Sequence, residues 1–533
     1  MTPLRGWRSS GPVATWWWWP PLSGLLFALA YPPLDLLPLA VVGFWPFLAF
    51  LDRVAARERM GRVFAGGFLF GLAFNGALLY WIAGLSGFSL MAVPAYLAAT
   101  MVLALNGGLV ATAVAFAHRR GAPVVIAFPL AWSGVEWLRS FGDLGFPWTM
   151  AGDAVARWPL LIQVAELGGG WLVGLWLAAL SAALWRVLRT PEGAWRRLAA
   201  IRRDDRVAPA VVTALVLAIV VPLYGAVRLR QLDGAAAGWR TLRGAAIQPN
   251  VPQDIKWDEG FERETLERLE NLTLRAMEQG PELVVWPESA VPGYLRYDPD
   301  ERFFVTDLAT RIGVPIFTGT VDADTVPGAA GDEAEDYRIY NAAYLVDPSQ
   351  GILPGRYAKR RLVPVAERVP FLPGVATGLF ETLTAWTGQF EPGRGWPTWN
   401  VNGIRIGALI CYESVFPDVS RSLVRSGADV LLNVTNDAWF GPTAAPHQHA
   451  SHLSLRAVEH RVPFLRSANT GISGWVDPQG RWHEPTRLYT FAVVVADLPV
   501  PDIVTLYTRW GDWAPFGAVL GWGLLCLVGI RRR

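Results

Sequence analysis

Ile404-Arg405-Ile406-Gly407-Ala408-Leu409-Ile410-Cys411 decides how the second half of this chain is read. The run is mostly apolar, of strand length, and ends on a cysteine; after Tyr412-Glu413 the sequence predicts a helix beginning near Phe416. A nucleophile at a strand-to-helix turn is exposed, and a helix N-terminus there favours the thiolate. A lone cysteine is more commonly a buried core residue, so position alone leaves both readings open. Short apolar runs at 283–286 (closed by Pro287), 314–318, 341–346, 430–434 and 464–468 predict further strands. Residues 262–279 predict an amphipathic helix with Leu266, Leu269, Thr273, Ala276 and Met277 on one stripe and Gly280 as its stop. Turn chemistry recurs in Asp347-Pro348-Ser349-Gln350-Gly351 and Asp477-Pro478-Gln479-Gly480. Strands alternating with helices, plus hairpins, imply an α/β sandwich. Residues 321–337, acidic and rich in Gly and Ala, are expected to form an irregular excursion from it.

Outward from this domain the composition changes. Over 533 residues the chain is 52% hydrophobic and 17% charged, with mean hydropathy +0.28. That balance excludes a disordered chain and a purely cytosolic enzyme. A net charge of +2 gives no ground for nucleic acid. The two cysteines, Cys411 and Cys526, offer no disulfide framework. Apolar stretches long enough to cross ~30 Å of hydrocarbon lie near 13–30, 34–51, 62–82, 90–117, 122–138, 160–185, 208–227 and 513–530. The first two, joined by Tyr31-Pro32-Pro33, also fit one re-entrant pair. Four consecutive tryptophans at 16–19 suit a membrane–water interface better than a cleaved leader.

Arginines cluster in alternate loops: Arg5 and Arg8; Arg53, Arg57, Arg59 and Arg62; Arg119 and Arg120; seven between Arg186 and Arg206; and Arg531 to Arg533 at the end. The intervening loops carry almost none, so both termini are expected in the cytoplasm and 231–512 on the outer side. The expected division is a transmembrane domain of seven spans over 1–230, an extramembrane domain over 231–512, and a C-terminal transmembrane helix with a basic tail over 513–533. Glu136, Arg139 and Glu166 fall near span ends, and no charge relay of the kind a transporter uses is visible. The pairs Gly66-Gly67 and Gly107-Gly108 and the run Gly168-Gly169-Gly170 predict close helix approach.

Three residues could carry chemistry with Cys411. Glu288 ends an apolar strand after Trp286-Pro287, and a carboxylate beside tryptophan tends to a raised pKa suited to a general base. A solvated strand-end acid is an equal reading of the same position. Of 47 basic residues only Lys256 and Lys359 are lysines, so each invites a chemical reason, although two stragglers also fit chance. His447, His449, His452 and His460 lack the partners of a zinc pattern and fit a polar helix start better than a metal site. No metal or cofactor is expected.

Trp286-Pro287-Glu288-Ser289, Lys359 and Ile410-Cys411-Tyr412-Glu413 together resemble the Glu–Lys–Cys set of the nitrilase superfamily. Gln248-Pro249-Asn250, Lys256-Trp257, Leu362-Val363-Pro364 with Glu367, Val369-Pro370-Phe371, Asn436-Asp437-Ala438-Trp439-Phe440-Gly441, Arg456-Ala457-Val458-Glu459, Asn469-Thr470-Gly471-Ile472 and Phe146-Pro147-Trp148 narrow the resemblance to the bacterial apolipoprotein N-acyltransferases, over nearly the whole chain. Val365-Ala366 departs from the Phe-Gly expected there.

The resemblance implies a polytopic helical membrane domain of about eight spans with a nitrilase-like αββα sandwich inserted before the last. It also implies an inner-membrane acyltransferase, with its catalytic domain in the periplasm. Its donor would be a phospholipid and its acceptor the N-terminal amine of diacylglyceryl-cysteine on a lipoprotein. Glu288, Lys359 and Cys411 would be catalytic in a ping-pong reaction through a thioester. Glu367 would support the lysine, and Trp257, Tyr412, Glu413 and Trp439 would line the pocket. Residues 371–398, rich in Leu, Phe and Trp for an outside loop, are expected at the membrane surface as a gate for lipid; packing on their own domain is the equal alternative. Two other functions fit parts of the sequence. A tethered amidase would use the same triad but leaves the spans unexplained, and a lipid transporter or scaffold leaves the triad unexplained.

Overall fold

The computed structural model describes residues 16–87, 91–188, 207–253, 259–325, 337–364, 366–368 and 390–531. Within them, five helical stretches are long and apolar enough to cross a membrane: Leu37–Val54, Met60–Leu78, Ala92–Arg119, Ala165–Leu188 and Pro209–Gly238. Val124–Leu138 and Trp513–Val528 are shorter apolar helices, and Trp19–Ala28 precedes them all. Helices Met60–Leu78 and Ala92–Arg119 touch backbone to backbone. A Cβ on Gly67 would lie 2.2 Å from the Gly107 oxygen, and one on Gly71 would lie 2.7 Å from Ala104 Cα. Small residues there permit the dispersion contact that holds helices together where lipid removes the hydrophobic drive. Gly168-Gly169-Gly170 also permits close approach, since a Cβ on Gly168 would lie 3.1 Å from Ala514 Cβ and one on Gly169 2.7 Å from the Tyr507 ring. Gly169 at φ 72° breaks the helical course, which leaves the Gly170 N–H free of the helix ladder and donating to Glu459 Oε1 at 2.8 Å.

The second half is built from thirteen strands among the described residues. One sheet takes β1 (Arg240–Gln248), β2 (Leu283–Val285), β3 (Ile316–Thr325), β4 (Tyr337–Asp347), β5 (Gly351–Ile352) and β6 (Tyr357–Ala358). The other takes β7 (Trp399–Val401), β8 (Ile404–Ile410), β9 (Val430–Thr435), β10 (Phe464–Ala468), β11 (Gly474–Val476) and β12 (Trp482–His483), while β13 (Ala492–Val500) returns to pair antiparallel with β1. The orders are β13-β1-β2-β3-β4-β5, with β6 on β4, and β12-β11-β10-β9-β8-β7. β1, β2 and β3 run parallel, as do β8, β9 and β10.

The alternation of β1 explains the layering. Leu242 and Ala246 join the core between the sheets with Ile406, Ala408 and Leu465. Ala245 and Ile247 face the opposite way, into a core with Leu269, Leu272 and Ala276 of helix Glu262–Met277 and Val305 and Leu308 of helix Pro299–Ile312. On the far side, Val419 and Leu423 of helix Pro417–Arg425 cover the second sheet, together with helix Ala445–His460. The result is an αββα stack. Both Asp turns form, with Asp347 Oδ1 accepting from the Ser349 and Gln350 N–H groups and Asp477 Oδ1 accepting from that of Gln479.

Two expectations change. Residues 321–325 are not irregular but the end of β3, paired in register with β4 from Tyr337; only 326–336 lie outside the described residues. Helix Ala445–His460 is not a polar helix start on a surface: every residue of it but His447 is buried. Its polar side chains cross to the membrane half. Gln448 accepts from the indoles of Trp81 and Trp148, His452 meets Asp153 at 3.2 Å, and Glu459 takes the Gly170 N–H. Just past its end, Arg461 pairs with Glu166 at 2.8 Å.

Candidate active site

β2 delivers Glu288 through Trp286-Pro287 to the end of the sandwich, where it is buried. The next strand crowds it: a Cβ on Gly319 would lie 2.8 Å from Glu288 Cα, so only glycine fits there. Trp286 turns into the helix-backed core and donates to Thr273 Oγ1 at 3.0 Å. Polar donors therefore set the surroundings of Glu288. Its Oε1 accepts from Asn341 Nδ2 at 2.7 Å and from Lys359 Nζ at 3.4 Å, and its Oε2 accepts from the Asn436 N–H at 2.8 Å.

Lys359 follows β6, and its backbone N–H is fixed on the Asn341 oxygen at 2.8 Å. Its ammonium is 1% exposed and donates to Glu367 Oε1 at 2.8 Å. Burial disfavours that charge, but Glu367 and Glu288 outweigh burial and hold the lysine well above its usual pKa. Asn341 bridges the two carboxylates, reaching Glu367 Oε1 at 3.2 Å as well.

Cys411 ends β8 at φ 52°, in the left-handed region, and opens the short turn Cys411–Val415 before helix Pro417–Arg425. A non-glycine residue held there stores strain of about 1–3 kcal/mol, kept by its surroundings. His449 supplies part of that hold, with Nε2 2.9 Å from the Cys411 oxygen. His449 Nδ1 in turn accepts from Arg466 Nη2 at 3.1 Å, and the same guanidinium pairs with Asp437 at 2.8 Å. The thiolate expected from a helix N-terminus is not the resting form. Burial first, then the Glu288 charge, push the Cys411 thiol well above its ordinary pKa, against the opposing pull of Lys359. The thiol therefore needs a base to react.

Glu413 ties the turn to the lysine. Its buried carboxylate accepts from Tyr357 Oη at 2.7 Å, from the Arg360 and Arg361 N–H groups at 2.7 and 3.2 Å, and from the Ile410 N–H at 2.8 Å. Tyr412 reaches the membrane half, donating to the Gly145 oxygen at 3.1 Å and stacking with Trp148 at 6.3 Å. Trp439 is half-buried in the turn Asp437–Phe440, whose Phe440 meets Trp81 edge-on at 4.9 Å. Trp257, Lys256 and residues 371–389 of the gate expected over 371–398 lie outside the described residues, and the rest of that stretch pairs with its own domain, Phe390 N–H on the Glu367 oxygen and Gly393 N–H on the Lys359 oxygen.

The geometry brings Glu288, Lys359 and Cys411 into one network with Glu367. Sequence reading missed Asn341, whose neutral amide carries no motif, and the support given by His449, which was weighed only for metal. Among the described residues no group of three His, Cys, Asp or Glu side chains is arranged to hold a metal ion; His449, His452 and His460 each have different partners. A cavity of ≈ 990 Å³ lined by Arg296, Arg338 and Arg356 has none of Glu288, Lys359 and Cys411 in its walls.

Residues 245–506 match the sequence family described as Carbon-nitrogen hydrolase, and residues 23–183 match Apolipoprotein N-acyltransferase N-terminal domain. The chain is 34% identical to an apolipoprotein N-acyltransferase of Geobacter metallireducens, covering 96% of this chain and 95% of that protein. It is 31% identical to one of Bradyrhizobium diazoefficiens, covering 96% and 94%. Among solved structures, an amidase of Nesterenkonia is 22% identical, covering 51% of this chain and 94% of its own, at TM-score 0.37.

Proposed function

This chain belongs to the apolipoprotein N-acyltransferase family, membrane acyltransferases of the nitrilase superfamily acting in lipoprotein N-acylation, and we propose that it works by a two-step acyl transfer through Cys411. Glu288 takes the thiol proton as sulfur attacks an ester carbonyl of a phospholipid. Lys359 Nζ and the Tyr412 N–H hold the oxyanion; removing one such donor typically costs ~3–4 kcal/mol in the barrier. Collapse expels the lysophospholipid, which leaves with the proton from Glu288, and a thioester remains on Cys411. The N-terminal amine of a diacylglyceryl-cysteine lipoprotein then attacks the thioester and gives its proton to Glu288, which returns it to the departing sulfur. Glu367 anchors the lysine, Glu413 sets the turn, and Tyr412, Trp439 and Trp257 line the acyl pocket.

The observation that carries this reading is a buried Cys411, its thiol pushed up by burial and the Glu288 charge, with Lys359 Nζ held between Glu367 at 2.8 Å and Glu288 at 3.4 Å. A base must act before sulfur can attack, and a fixed cation awaits the charge that develops.

The same reading places residues 1–230 and 513–533 in the inner membrane as eight spans with cytoplasmic termini. It places 231–512 in the periplasm, with 371–398 as the lipid gate at the membrane surface. The five long and two shorter apolar helices support it. The deciding experiment is incubation with phospholipid alone: one acyl mass is expected on a peptide containing Cys411. Acylation at another residue, or none despite turnover, would remove the thioester route.

A further inference from the structure

We propose that a small basic cavity beside the nucleophile, walled by Arg360, Arg361 and Arg368, is the subsite for the phosphodiester of the lipid acyl donor. This rests on the acyl-transfer reading above and extends it to how the donor is held.

The cavity, of ≈ 70 Å³, lies where the two halves of the chain meet, with Asp143 and Gly145 on one side and Arg360, Arg361, Arg368 and Phe416 on the other. That volume suits a compact polar group and excludes an acyl chain. Two of its walls touch the residue after the nucleophile: Tyr412 donates to the Gly145 oxygen at 3.1 Å and meets the Phe416 ring edge-on at 5.0 Å. Arg360 and Arg361 directly follow Lys359 in the chain, with their N–H groups pinned on Glu413. A group held here is thus tied by two short linkages to Lys359 and Cys411.

Charge and position specify the ligand. Arg361 spends one arm on Asp418 at 2.6 Å, and Asp143 adds a second carboxylate to the wall. With Arg361 paired to Asp418, Arg360 and Arg368 keep this wall basic, the complement of the negative charge of a phosphodiester. Arg360 is braced over the Trp396 ring at 4.1 Å, and Arg368 hydrogen-bonds no described residue through its side chain, so its planar fork is available to paired oxygens. Leu138, Phe141 and Leu144, next to Asp143, are 59%, 53% and 44% exposed. Leu138 closes the apolar helix Val124–Leu138 and the other two follow it, so the stretch that brings Asp143 to the cavity presents the apolar surface expected where a bilayer begins. Binding energy from this remote group would hold the ester against Sγ.

The test is single-turnover acylation of Cys411 in the full-length protein, comparing phosphatidylethanolamine with diacylglycerol, which lacks the phosphate. Wild type is expected to prefer the phospholipid by at least about 10-fold. Arg368→Gln and the double variant Arg361→Gln/Arg368→Gln should bring that ratio towards unity, while Arg368→Lys keeps part of it. An unchanged ratio in the double variant overturns the proposal. Inorganic phosphate at matched ionic strength separates the sources of the anion. Retention of the wild-type preference assigns the site to the lipid, and abolition of it assigns the site to free phosphate and overturns the lipid assignment. No acylation of wild type by either lipid would instead sink the acyl-transfer reading itself.

Discussion

The Nε2 of His449 stands 2.9 Å from the carbonyl oxygen of Cys411, on a helix from which Gln448, His452 and Glu459 reach the membrane half. The carbonyl can only accept, so that nitrogen carries the hydrogen. Burial and Arg466 lower the His449 pKa, which keeps the bond in its neutral form through the physiological range. The imidazole holds the backbone of Cys411.

His449→Phe preserves a ring over Trp148, which His449 stacks on at 5.4 Å, but removes the donor and leaves a buried carbonyl unpaired. The turn is expected to drift, lowering kcat on the order of 10- to 100-fold while KM stays nearly constant. His449→Gln, which can still offer an N–H, should recover part of the loss. Steady-state kinetics read both; equal losses in the two variants would remove the positioning role.

Glu288→Gln separates charge from base. The Glu288 charge raises the Cys411 pKa, so its loss should lower that pKa and speed alkylation of Cys411 by iodoacetamide at fixed pH. Acylation by phospholipid should slow by about 10²–10⁴-fold, the usual contribution of a general base. In wild type the alkylation rate should still be climbing above the pH at which a free cysteine has levelled off. Rates that move together in the variant would show that Glu288 acts through charge alone.

Lys359→Arg keeps the positive charge but not the shape. The ammonium fits between Glu367 and Glu288, 1% exposed, where a wider planar group must displace one of them. A donor misplaced by ~1 Å costs on the order of 100-fold, so thioester formation in a single turnover should fall by about that much with expression and insertion normal. Lys256→Arg is expected to do little. Near wild-type acylation by Lys359→Arg would leave the lysine as a counter-charge only.

Glu413→Gln tests the clip between lysine and nucleophile. Each carboxylate oxygen accepts from at least one backbone N–H, so whichever way the amide turns, its NH₂ faces a donor. The lost acceptor should cost about 1–3 kcal/mol of stability, read as a lower Tm in detergent. Thioester formation should slow with it, because the Lys359 loop and the Cys411 turn lose their common anchor.

The sandwich was legible wherever a strand is buried on both faces. Ile404–Ile410 and Phe464–Ala468 read as strands and form over those bounds, although Arg405 and Arg466 interrupt their apolar runs. β1 escaped because it begins with exposed Arg240 and Thr241 and carries Arg243 and Gly244 within it, and the two-residue β5, β6 and β12 carry too little pattern for any periodicity to register. At the site, Glu288 and Cys411 stood out by their places at strand ends and Lys359 by the scarcity of lysine, before the resemblance joined them. The resting state of the thiol was not legible, because it depends on burial and on a carboxylate brought near from a distant strand. Asn341 and His449 act through geometry that no spacing along the chain encodes.

Helix Ala445–His460 also bears on how the protein is made. Asp153, Glu166 and the Gly170 N–H find partners in His452, Arg461 and Glu459, all of which leave the ribosome much later. During synthesis Arg228 can already meet Glu166 and the Met150 N–H can meet Asp153, but the Gly170 N–H waits for Glu459, and a buried polar group left unpaired is costly. A nascent chain stopped before Ala445 is an incomplete membrane protein as well as an inactive enzyme, and a natural substrate for membrane quality control.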